Sequence, residues 1–584
     1  MANSVATLVA AAWGGEGETK RIGIFTDTHL GYKLNETALR LEQSYRLFKS
    51  HHVDMVFNLG DICEWHNPAW YKKYVEIREK VYPEGLPPEI YLFATHDHMK
   101  AKKIPGDKEH AKIYEAVRQM LKISHDRYYS FEVCGYTFLV YPQDKDYARM
   151  AREIDAACKV HPGRPLFVLD HVPPANTVYR SVNGGDHRTR RIFDSHPEVV
   201  AFTGHVHGSL AHEGKIWQGG FTAVNFGTIK NPACSGGGDW HVAVMELSPS
   251  RAVIHRYEIE KGQELDPAHP WSLDFPFDPA TAPYRPETRR KTAPTPAFAA
   301  GASLDVRRLG KPLRAVSVTW PAASTPGIGH YQVAVEKKVG DGWETRSVKS
   351  VEADYIRPEA KRSKSFTLQF VSGYFDAGEM VRLVVTPVDF FGTHGAPLVR
   401  ELEIGETESW QTLYADVPAP AKPGAFRAFR GNTWFKVPPE ALDVPPGTPC
   451  RMTIDVTLDL PEGVAASFKL RTDKSVIYAH QGYIYTPPGK SSRRYVVEFP
   501  RPAPAAEPFN LFLQRAAHGK IRFDGFRIEA RKKCSGKVGR CKVKSLELGA
   551  RCLVLGARAP QQATGTRHHA PDTKCLNQRP TYRQ

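Results

Sequence analysis

Residues 21–29 read RIGIFTDTH, and this short stretch sets the pattern for the first half of the chain. The apolar run at 21–25 predicts a buried strand, and Asp27 and His29 follow it directly. Four later segments repeat the arrangement, because in each an apolar run ends in Asp or His. They read VDMVFNLGD at 53–61, EIYLFATHD at 89–97, PLFVLDH at 165–171 and VVAFTGHVH at 199–207.

Helical patterns lie between these predicted strands. Leu41, Tyr45 and Phe48 recur at helical spacing, and residues 69–81 and 148–159 are also predicted to be helices. Alternating strands and helices are typical of sheets covered by helices, so we predict an α/β domain over residues 20–262. Ligands of such sheets bind at the carboxyl ends of the strands, and we expect the five loops to converge on one crevice.

The residue types in these loops suit a pair of metal ions. Carboxylates and neutral imidazoles are ligands of Zn²⁺, Mn²⁺ and iron. An Asp-x-His on an extended segment, such as Asp27 and His29, points both side chains to one face, and His205 and His207 do the same. Two ions ~3.5–4 Å apart can clamp an anionic ester. The sequence contains neither a GxSxG nucleophile elbow nor a GxxxxGK[ST] phosphate loop.

The ordered motifs DxH, GD, a histidine within Thr95-His96-Asp97, a lone histidine and GHxH closely resemble the calcineurin-like metallophosphoesterase family. The resemblance covers about residues 20–260. It implies an αββα sandwich that holds two divalent or trivalent transition metal ions (Mn, Zn or Fe). It also implies a phosphoesterase whose nucleophile is a metal-bridging hydroxide. A phosphodiester is favoured over a monoester, because the domain most resembles the cyclic-nucleotide-phosphodiesterase-like branch.

The same resemblance implies a role for each motif residue. His96 would stabilise charge or protonate the leaving oxygen, and Asp97 would orient His96 through a hydrogen bond. The metal ligands would be Asp27, His29 and His207 for one ion, Asp61 bridging both ions, and His171 and His205 for the second.

Position 95 departs from the family pattern, which has Gly-Asn-His where this chain has Ala94-Thr95-His96. The Asn would supply an amide oxygen to the second metal, and the Thr95 hydroxyl is a shorter and poorer donor. An altered metal, an altered substrate and lost phosphatase activity all stay open. We favour retained hydrolysis, because every carboxylate and imidazole ligand is present.

Substrate contacts are predicted around the motifs. Glu64 and Trp65 follow the bridging Asp61 and are expected at the pocket mouth, where an aromatic ring could stack on a base or sugar. His98 opens the basic run 98–103, and Arg188 and Arg190 lie in a second basic cluster. These clusters could attract a phosphodiester or a polyanion, although ordinary solvated loops explain them equally well.

The charge of the chain is concentrated at its C-terminus. The net charge is +16 over 584 residues, and residues 531–584 contain 13 Lys and Arg against 2 Asp and Glu. We predict a basic, disordered tail there, and outside it nothing favours a nucleic-acid partner. Four of the nine cysteines also lie in the tail, and no CxxC pair predicts a zinc ribbon. No apolar run is long enough for a membrane span.

The remaining segments predict further domains. Residues 1–19 are either a leader remnant or an unstructured end, and the eight prolines of residues 263–300 predict an extended linker. Period-two alternation predicts a fibronectin type III or Ig-like sandwich over residues 301–405 and a jelly-roll-like β domain over residues 406–530. The predicted architecture is therefore one α/β domain followed by two all-β sandwich domains.

Two functions stay open at this point. The first is a metal-dependent phosphoesterase acting on a small molecule or a polymer. The second is a surface or secreted protein that binds or acts on glycans or polysaccharides through its β domains, with a metal domain whose activity is lost or changed. The attached β domains favour an extracellular or periplasmic protein, and a cytoplasmic one is not ruled out.

Overall fold

A computed structural model describes most of residues 9–416 and the strands of the C-terminal part. The described residues are 9–13, 17–99, 107–123, 125–143, 145–181, 185–230, 240–278, 280–357, 359–416, 427–428, 433–437, 444–445, 447–460, 467–471, 476–480, 489–500, 509–514 and 520–531. The predicted tail from residue 532 onward, the start of the chain to residue 8 and the basic residues 100–103 lie outside these ranges.

The chain is a multi-domain protein of several sheets, with 41% strand and 20% helix, and the prediction is confirmed in this coarse form. Contacts group Met1–Cys541 into one compact unit. The helices of the described residues are α1 Leu34–Ser50, α2 Pro68–Val81, α3 Thr95–His98, α4 Asp107–Leu121, α5 Tyr147–Val160, α6 His187–Phe193 and α7 Pro286–Thr292. None of them is long and apolar enough to cross a membrane.

Fourteen strands of the described residues precede the β domains. They are β1 Val9–Trp13, β2 Lys20–Phe25, β3 Met55–Asn58, β4 Glu89–Tyr91, β5 Tyr129–Val133, β6 Tyr136–Tyr141, β7 Leu166–Asp170, β8 Val199–Thr203, β9 Ile216–Gln218, β10 Thr222–Asn225, β11 His241–Ser248, β12 Arg251–Glu258, β13 Gln263–Glu264 and β14 Trp271–Asp274.

These strands form two sheets that share one apolar core. The first sheet has the order β1-β5-β6-β7-β8-β10-β9, and the second has the order β13-β12-β11-β2-β3-β4, with β14 paired to β12. Phe138 and Phe167 of the first sheet and Ile24 and Phe57 of the second belong to the same buried cluster. The two sheets therefore pack face to face, as sheets with one apolar face each must.

Helices cover the outer faces of both sheets. Leu41 of α1 and Tyr74 of α2 pack with Val56 on the outer face of the second sheet. Met150 of α5 packs with Val168 on the outer face of the first sheet. The strands are thus apolar on both faces, which explains why their sequences read as continuous apolar runs.

Parallel pairing brings the motif loops together. Strands β2, β3 and β4 are parallel neighbours, and so are β6, β7, β8 and β10. The backbone N–H of Asp27 donates to the carbonyl oxygen of Gly60 (3.0 Å), so the loops after β2 and β3 are joined directly. The carboxyl ends of both sheets therefore present the five motif loops at one edge, as predicted.

The expected linker over residues 263–300 is instead partly built into the α/β domain. Strands β13 and β14 pair with β12, and α7 follows. Trp271 is only 2% exposed and lies in the core between the sheets. Pro286 begins α7, and the high proline content does not indicate that the apolar Trp271 and Leu273 anchor the segment in the core. At the other end, β1 pairs in parallel with β5, so part of the expected leader region belongs to the first sheet.

The next domain has two sheets, ordered β15-β16-β19 and β18-β17-β20-β21. Val318 and Val333, from the two sheets, share one buried cluster with Trp320 and Leu383. Its strands are β15 Asp305–Leu309, β16 Ala315–Pro321, β17 Ile328–Val339, β18 Gly342–Glu352, β19 Ser365–Val371, β20 Met380–Asp389 and β21 Leu398–Glu403.

The last described part also has two sheets, ordered β22-β30-β25-β28, with β23 on β30, and β24-β29-β26-β27. Tyr374 of the preceding domain donates a hydrogen bond to the carbonyl oxygen of Val496 (3.4 Å). The strands are β22 Trp410–Asp416, β23 Arg427–Ala428, β24 Thr433–Val437, β25 Pro449–Leu460, β26 Ser467–Arg471, β27 Val476–His480, β28 Gly489–Pro500, β29 Phe509–Gln514 and β30 Lys520–Arg531.

Candidate metal centre

Strained backbone positions the motif side chains. Five motif residues have φ between 44° and 73°, a left-handed conformation that costs free energy for residues other than glycine. They are Asp27, His29, Asp61, His205 and His207. Gly60 and Gly204 allow the close approach of the loops, since a Cβ on Gly204 would lie 2.8 Å from Asp27 Oδ2. Such strain persists only where the surrounding structure enforces it, as at functional sites.

The first group of donors consists of Asp27, His29, Asp61 and His207. Their ligand atoms all lie within 4.8 Å of one another. His207 Nε2 lies 3.0 Å from Asp27 Oδ1, and His29 Nε2 lies 3.4 Å from Asp61 Oδ2. Asp27 is fully buried, and its other oxygen accepts the backbone N–H of His205 (2.8 Å).

The second group shares Asp61 with the first and adds His171 and His205. The Nδ1–H of His171 donates to the carbonyl oxygen of Leu59 (2.7 Å), which turns Nε2 toward Asp61 Oδ2 at 3.1 Å. Asp61 is 2% exposed, and its Oδ1 accepts the backbone N–H of His96 (3.1 Å). The shared carboxylate is the arrangement expected of a bridging ligand.

Several candidate metal-ligand atoms lack a hydrogen-bond partner or face one another, and a bound cation would stabilise this arrangement. Asp27 Oδ1, His171 Nε2 and His207 Nδ1 are buried and make no hydrogen bond within the described residues. The Nε2 atoms of His29 and His207 face each other at 3.2 Å, and the Nδ1 of His29 faces Glu64 Oε2 at 2.9 Å. If His29 donates Nδ1–H to Glu64, its Nε2 lone pair points at two carboxylates. Such packing requires a proton or a metal ion, and the residues present fit two transition metal ions.

Charges within the centre control its protonation. Burial would raise the pKa of Asp27, but His207 and His171 hold that pKa well below its usual range. Burial would lower the pKa of His171, but Asp61 and Asp27 raise that pKa to about 10. Burial and the neighbouring His171 lower the pKa of His205 to about 4. Both carboxylates are therefore ionised at neutral pH, and a proton on His171 offsets part of their charge.

His96 stands beside the donors. Its ring lies edge-on to the ring of His29 with the centroids 4.5 Å apart, and its Nδ1 contacts the carbonyl oxygen of Glu64 at 2.6 Å. The Nδ1–H must donate in that contact, which leaves Nε2 as the reactive nitrogen. Burial lowers the pKa of His96, so the ring is neutral at pH 7.

The predicted role of Asp97 is wrong. Its carboxylate makes no bond to His96 within the described residues. Instead Oδ1 accepts the backbone N–H groups of Ile62 (2.9 Å) and Cys63 (3.2 Å), and Oδ2 accepts that of Ala94 (3.1 Å). Asp97 therefore joins the loop after β3 to the loop after β4, and the carbonyl of Glu64 orients His96. Backbone partners of this kind leave no trace in the residue spacing.

Glu64 also differs from its predicted place at the pocket mouth. Its Oε2 accepts a hydrogen bond from Lys230 Nζ at 2.6 Å and lies 2.9 Å from His29 Nδ1. Burial opposes its ionisation, but His29 and Lys230 lower the pKa of Glu64 to about 2. The carboxylate thus holds His29, a candidate metal ligand, in one tautomer, as carboxylates behind metal-binding histidines commonly do. Lys230 carries no motif signal, and sequence reasoning missed it.

The other predicted substrate contacts differ in how far their side chains are exposed. Trp65 is half-buried and lies against Trp70 with the ring centroids 4.9 Å apart. His98 is only 3% exposed and packs against Phe93, so the expectation that it faces a substrate is wrong. Phe93, just after β4, contacts the His98 ring edge-on inside the domain.

Arg188 and Arg190 lie on α6. Arg188 is exposed and lies over the ring of Tyr147 at 5.2 Å. The Arg190 side chain already has partners. Its Nε donates to Asp194 at 2.6 Å, and its guanidinium lies 4.6 Å from the ring centre of Trp217. Of these two side chains, Arg188 is the more exposed.

Thr95 is half-buried at the start of α3. Its backbone N–H donates to Oε1 of Gln143 at 2.7 Å. Gln143 therefore brings a carboxamide next to the position where the family has Asn. This residue follows β6 and is another contact that the sequence did not reveal.

Comparisons with known proteins add no family. The sequence matches no protein-family model and no curated protein. A protein of infectious bursal disease virus, Gx strain, is 10% identical with a TM-score of 0.14; 39% of this chain is covered, and this chain spans 58% of the virus protein. Beta-glucuronidase 2 of Bacteroides uniformis is 7% identical over 90% of this chain and 65% of that one, with a TM-score of 0.18. These scores are too low to indicate a shared fold.

Proposed function

We propose that residues 20–262 form a calcineurin-like αββα sandwich that hydrolyses phosphoesters with two transition metal ions. The observation that carries the proposal is the pair of buried donor groups that share Asp61. The residues of each group are those that the motif resemblance assigns to each ion. The two face-to-face sheets with helices on both outer faces suit the same family fold.

The residues of the site would have two kinds of role, which are binding the ions and acting on the substrate. Asp27, His29, Asp61, His171, His205 and His207 would hold the ions. When bound, the two ions would supply Lewis acidity toward a phosphoryl oxygen and would acidify a water molecule. His96, with Nδ1–H held by the Glu64 carbonyl, would present Nε2 to the substrate. Because Nδ1 holds the proton of the neutral ring, Nε2 would have to take up a proton from water before it could protonate the leaving oxygen.

Two bound cations together with Lys230 would offset the carboxylates of the centre and allow an anionic substrate to bind. The ammonium of Lys230 lies 3.4 Å from His29 Nδ1 and 4.7 Å from the ring centre of Tyr32, close to the donor groups. Burial strengthens electrostatic attraction, since little water screens these charges. A phosphodiester carries one negative charge and is our preferred substrate class.

The test is hydrolysis of bis(p-nitrophenyl) phosphate and p-nitrophenyl phosphate by the full chain loaded with Mn²⁺, Zn²⁺ or Fe²⁺. We expect metal-dependent turnover that is faster with the diester. His96→Ala should lower kcat ~10²–10³-fold, the scale of a lost general acid, while both ions stay bound. The exposed His161, at the end of α5, supplies the control variant His161→Ala, which should leave kcat unchanged.

Two results would contradict the proposal. One is a chain with two bound ions that turns over neither ester. The other is equal loss of kcat in the His96 and His161 variants. Fewer than two ions per chain under saturating metal would favour the alternative in which the metal domain has lost its activity.

Position 95 has its own test. Thr95→Asn would restore an amide oxygen, and we expect the second ion to bind several-fold more tightly, measured as metal content under limiting metal. Gln143→Ala on the native background should weaken the same ion if the Gln143 carboxamide substitutes for the missing Asn. No change in either variant would show that neither position 95 nor Gln143 contributes a ligand.

A further inference from the structure

The loop of residues 204–207 carries two candidate metal ligands, and a buried amide fixes its first residue. Asn225, the last residue of β10, is fully buried, and its Nδ2 donates to the carbonyl oxygen of Gly204 at 2.6 Å. The backbone N–H of Gly204 donates to the carbonyl oxygen of His171 at 2.9 Å. Asn225 therefore holds the backbone directly before His205, and that backbone is joined to the other histidine of the second donor group.

Lys215 supplies the hydrogen bond that orients Asn225. Its side chain is fully buried, and its Nζ donates to Asn225 Oδ1 at 2.5 Å, which leaves Nδ2 for the Gly204 carbonyl. The same side chain packs against Gly208, where a Cβ would lie 2.1 Å from Lys215 Nζ. Burial and the neighbouring Arg180 lower the pKa of Lys215 well below its usual range, which reduces the positive charge that would oppose a bound cation.

Aromatic contacts fix the segment that ends at Lys215. The backbone N–H of Lys215 donates to the carbonyl oxygen of His212 at 3.0 Å, and His212 is buried. The His212 ring is stacked on Tyr179, with the centroids 3.7 Å apart, and lies 4.0 Å from the ring of Phe390. The backbone N–H of Tyr179 also donates to the carbonyl oxygen of Gly214 at 2.7 Å. The position of Lys215 therefore depends on His212 and on the two rings that His212 contacts.

Two of these contacts come from the sandwich domain of residues 301–405. Phe390 follows β20, and Glu352 is the last residue of β18. The hydroxyl of Tyr179 donates to Glu352 Oε2 at 2.8 Å. Neither Phe390 nor Glu352 belongs to the buried core cluster of the sandwich domain. A continuous series of contacts therefore joins the surface of the sandwich domain to the ligand loop.

We propose that Lys215 and Asn225 are positioning residues for the second ion, and that Phe390 and Glu352 of the sandwich domain keep them in place. The inference rests on the proposed metal centre. Contacts behind metal ligands set the orientation of those ligands, and coupling between domains passes through side chains that pack and hydrogen-bond in sequence. The sandwich domain would then support metal binding without contributing a ligand.

The test is Mn²⁺ titration of the full chain, with the second ion followed by the electron paramagnetic resonance signal of a coupled Mn²⁺ pair. Lys215→Met leaves Asn225 Oδ1 without a donor, and we expect the second ion to bind ~10-fold more weakly. Phe390→Ala should weaken the second ion several-fold. Phe390→Tyr keeps the ring and should bind the second ion as the native chain does.

A double variant tests whether the contacts act in series. Lys215→Met combined with Phe390→Ala should bind the second ion about as weakly as Lys215→Met alone, because Phe390 acts on the loop through Lys215. The matched control is Trp343→Ala, which removes a ring of the same domain next to the turn between β17 and β18, where it contacts Arg382. This control should bind both ions as the native chain does.

Three results would overturn the inference. They are equal affinity for the second ion in the native, Lys215→Met and Phe390→Ala proteins, equal losses in the Phe390→Ala and Trp343→Ala proteins, and losses that add fully in the double variant. A native chain that takes up no second ion would instead contradict the metal centre itself. If circular dichroism shows that Lys215→Met does not fold, Phe390→Ala and Glu352→Ala carry the same test.

Discussion

The α/β domain and the sandwich domain of residues 301–405 differ in how many of their non-glycine residues have a positive φ angle. All eleven non-glycine residues with positive φ among those described lie in the α/β domain, and five of them are candidate metal ligands. The described part of the sandwich domain has such angles only at glycines. Nearly half of these strained positions therefore lie where the candidate ligand atoms converge, and the described part of the sandwich domain forms its core without such strain.

The largest expected effect comes from a substitution in the candidate metal centre, where five of the strained residues lie. Asp61→Asn removes the charge that both donor groups share while keeping the shape of the side chain. We expect at most one ion per chain by elemental analysis, and turnover of the aryl phosphodiester ~10³-fold lower, as for loss of a charge-stabilising group. Two tightly bound ions in this variant would show that Asp61 does not bridge.

The second effect concerns the core of the sandwich domain. Leu383 is fully buried in the sandwich core, and Leu383→Ala should cost about 2–5 kcal/mol of unfolding free energy. Metal content and turnover per folded chain should not change, since no donor atom lies in this core. Denaturant unfolding measures the first quantity and elemental analysis the second. A loss of metal would mean that the sandwich core supports the centre.

A third substitution tests whether Glu64 positions His29 for metal binding. Glu64→Ala removes the acceptor that orients His29, and we expect metal affinity to fall ~10–100-fold. Lys230→Met should give a smaller loss, because Lys230 acts on His29 mainly through Glu64. The control is Glu76→Gln, which alters an exposed ion pair with Lys73 on α2. Equal affinities in all four proteins would exclude a positioning role for Glu64.

The smallest effect is a pH dependence of metal binding. The pKa of His171 is raised to about 10 in the metal-free chain, so the ring carries a proton at pH 6–8 that a metal must displace. Affinity for Mn²⁺ should therefore rise ~10-fold per pH unit over this range, and proton release should be measurable in two buffers. His171→Gln should bind more weakly but with a shallower slope. A flat profile for the native chain would show that His171 is not a ligand.

Much of the candidate centre could be predicted because its signal is local. An apolar run followed by Asp or His marks a strand end, and parallel strands place their ends at one edge. Asp27, Asp61, His171 and His205 come together on that basis. His98 shows the limit of the same reasoning, because a polar residue near a motif is not necessarily exposed. Its burial depends on Phe93, and spacing does not encode that contact.

By itself, the sequence predicted the strand periods and the six Asp and His side chains that the structure brings close together. Tertiary structure alone decided their partners. Glu64 and Lys230 meet across 166 positions, Asp97 binds backbone N–H groups of another loop, and β14 joins the α/β sheet out of a proline-rich segment. The cavity lined by residues 211–266 and by residues 326–391 likewise forms only when these two parts of the chain pack together. The reason is physical: period and residue type act over a few neighbouring residues, whereas pairing and burial depend on segments that only folding brings into contact.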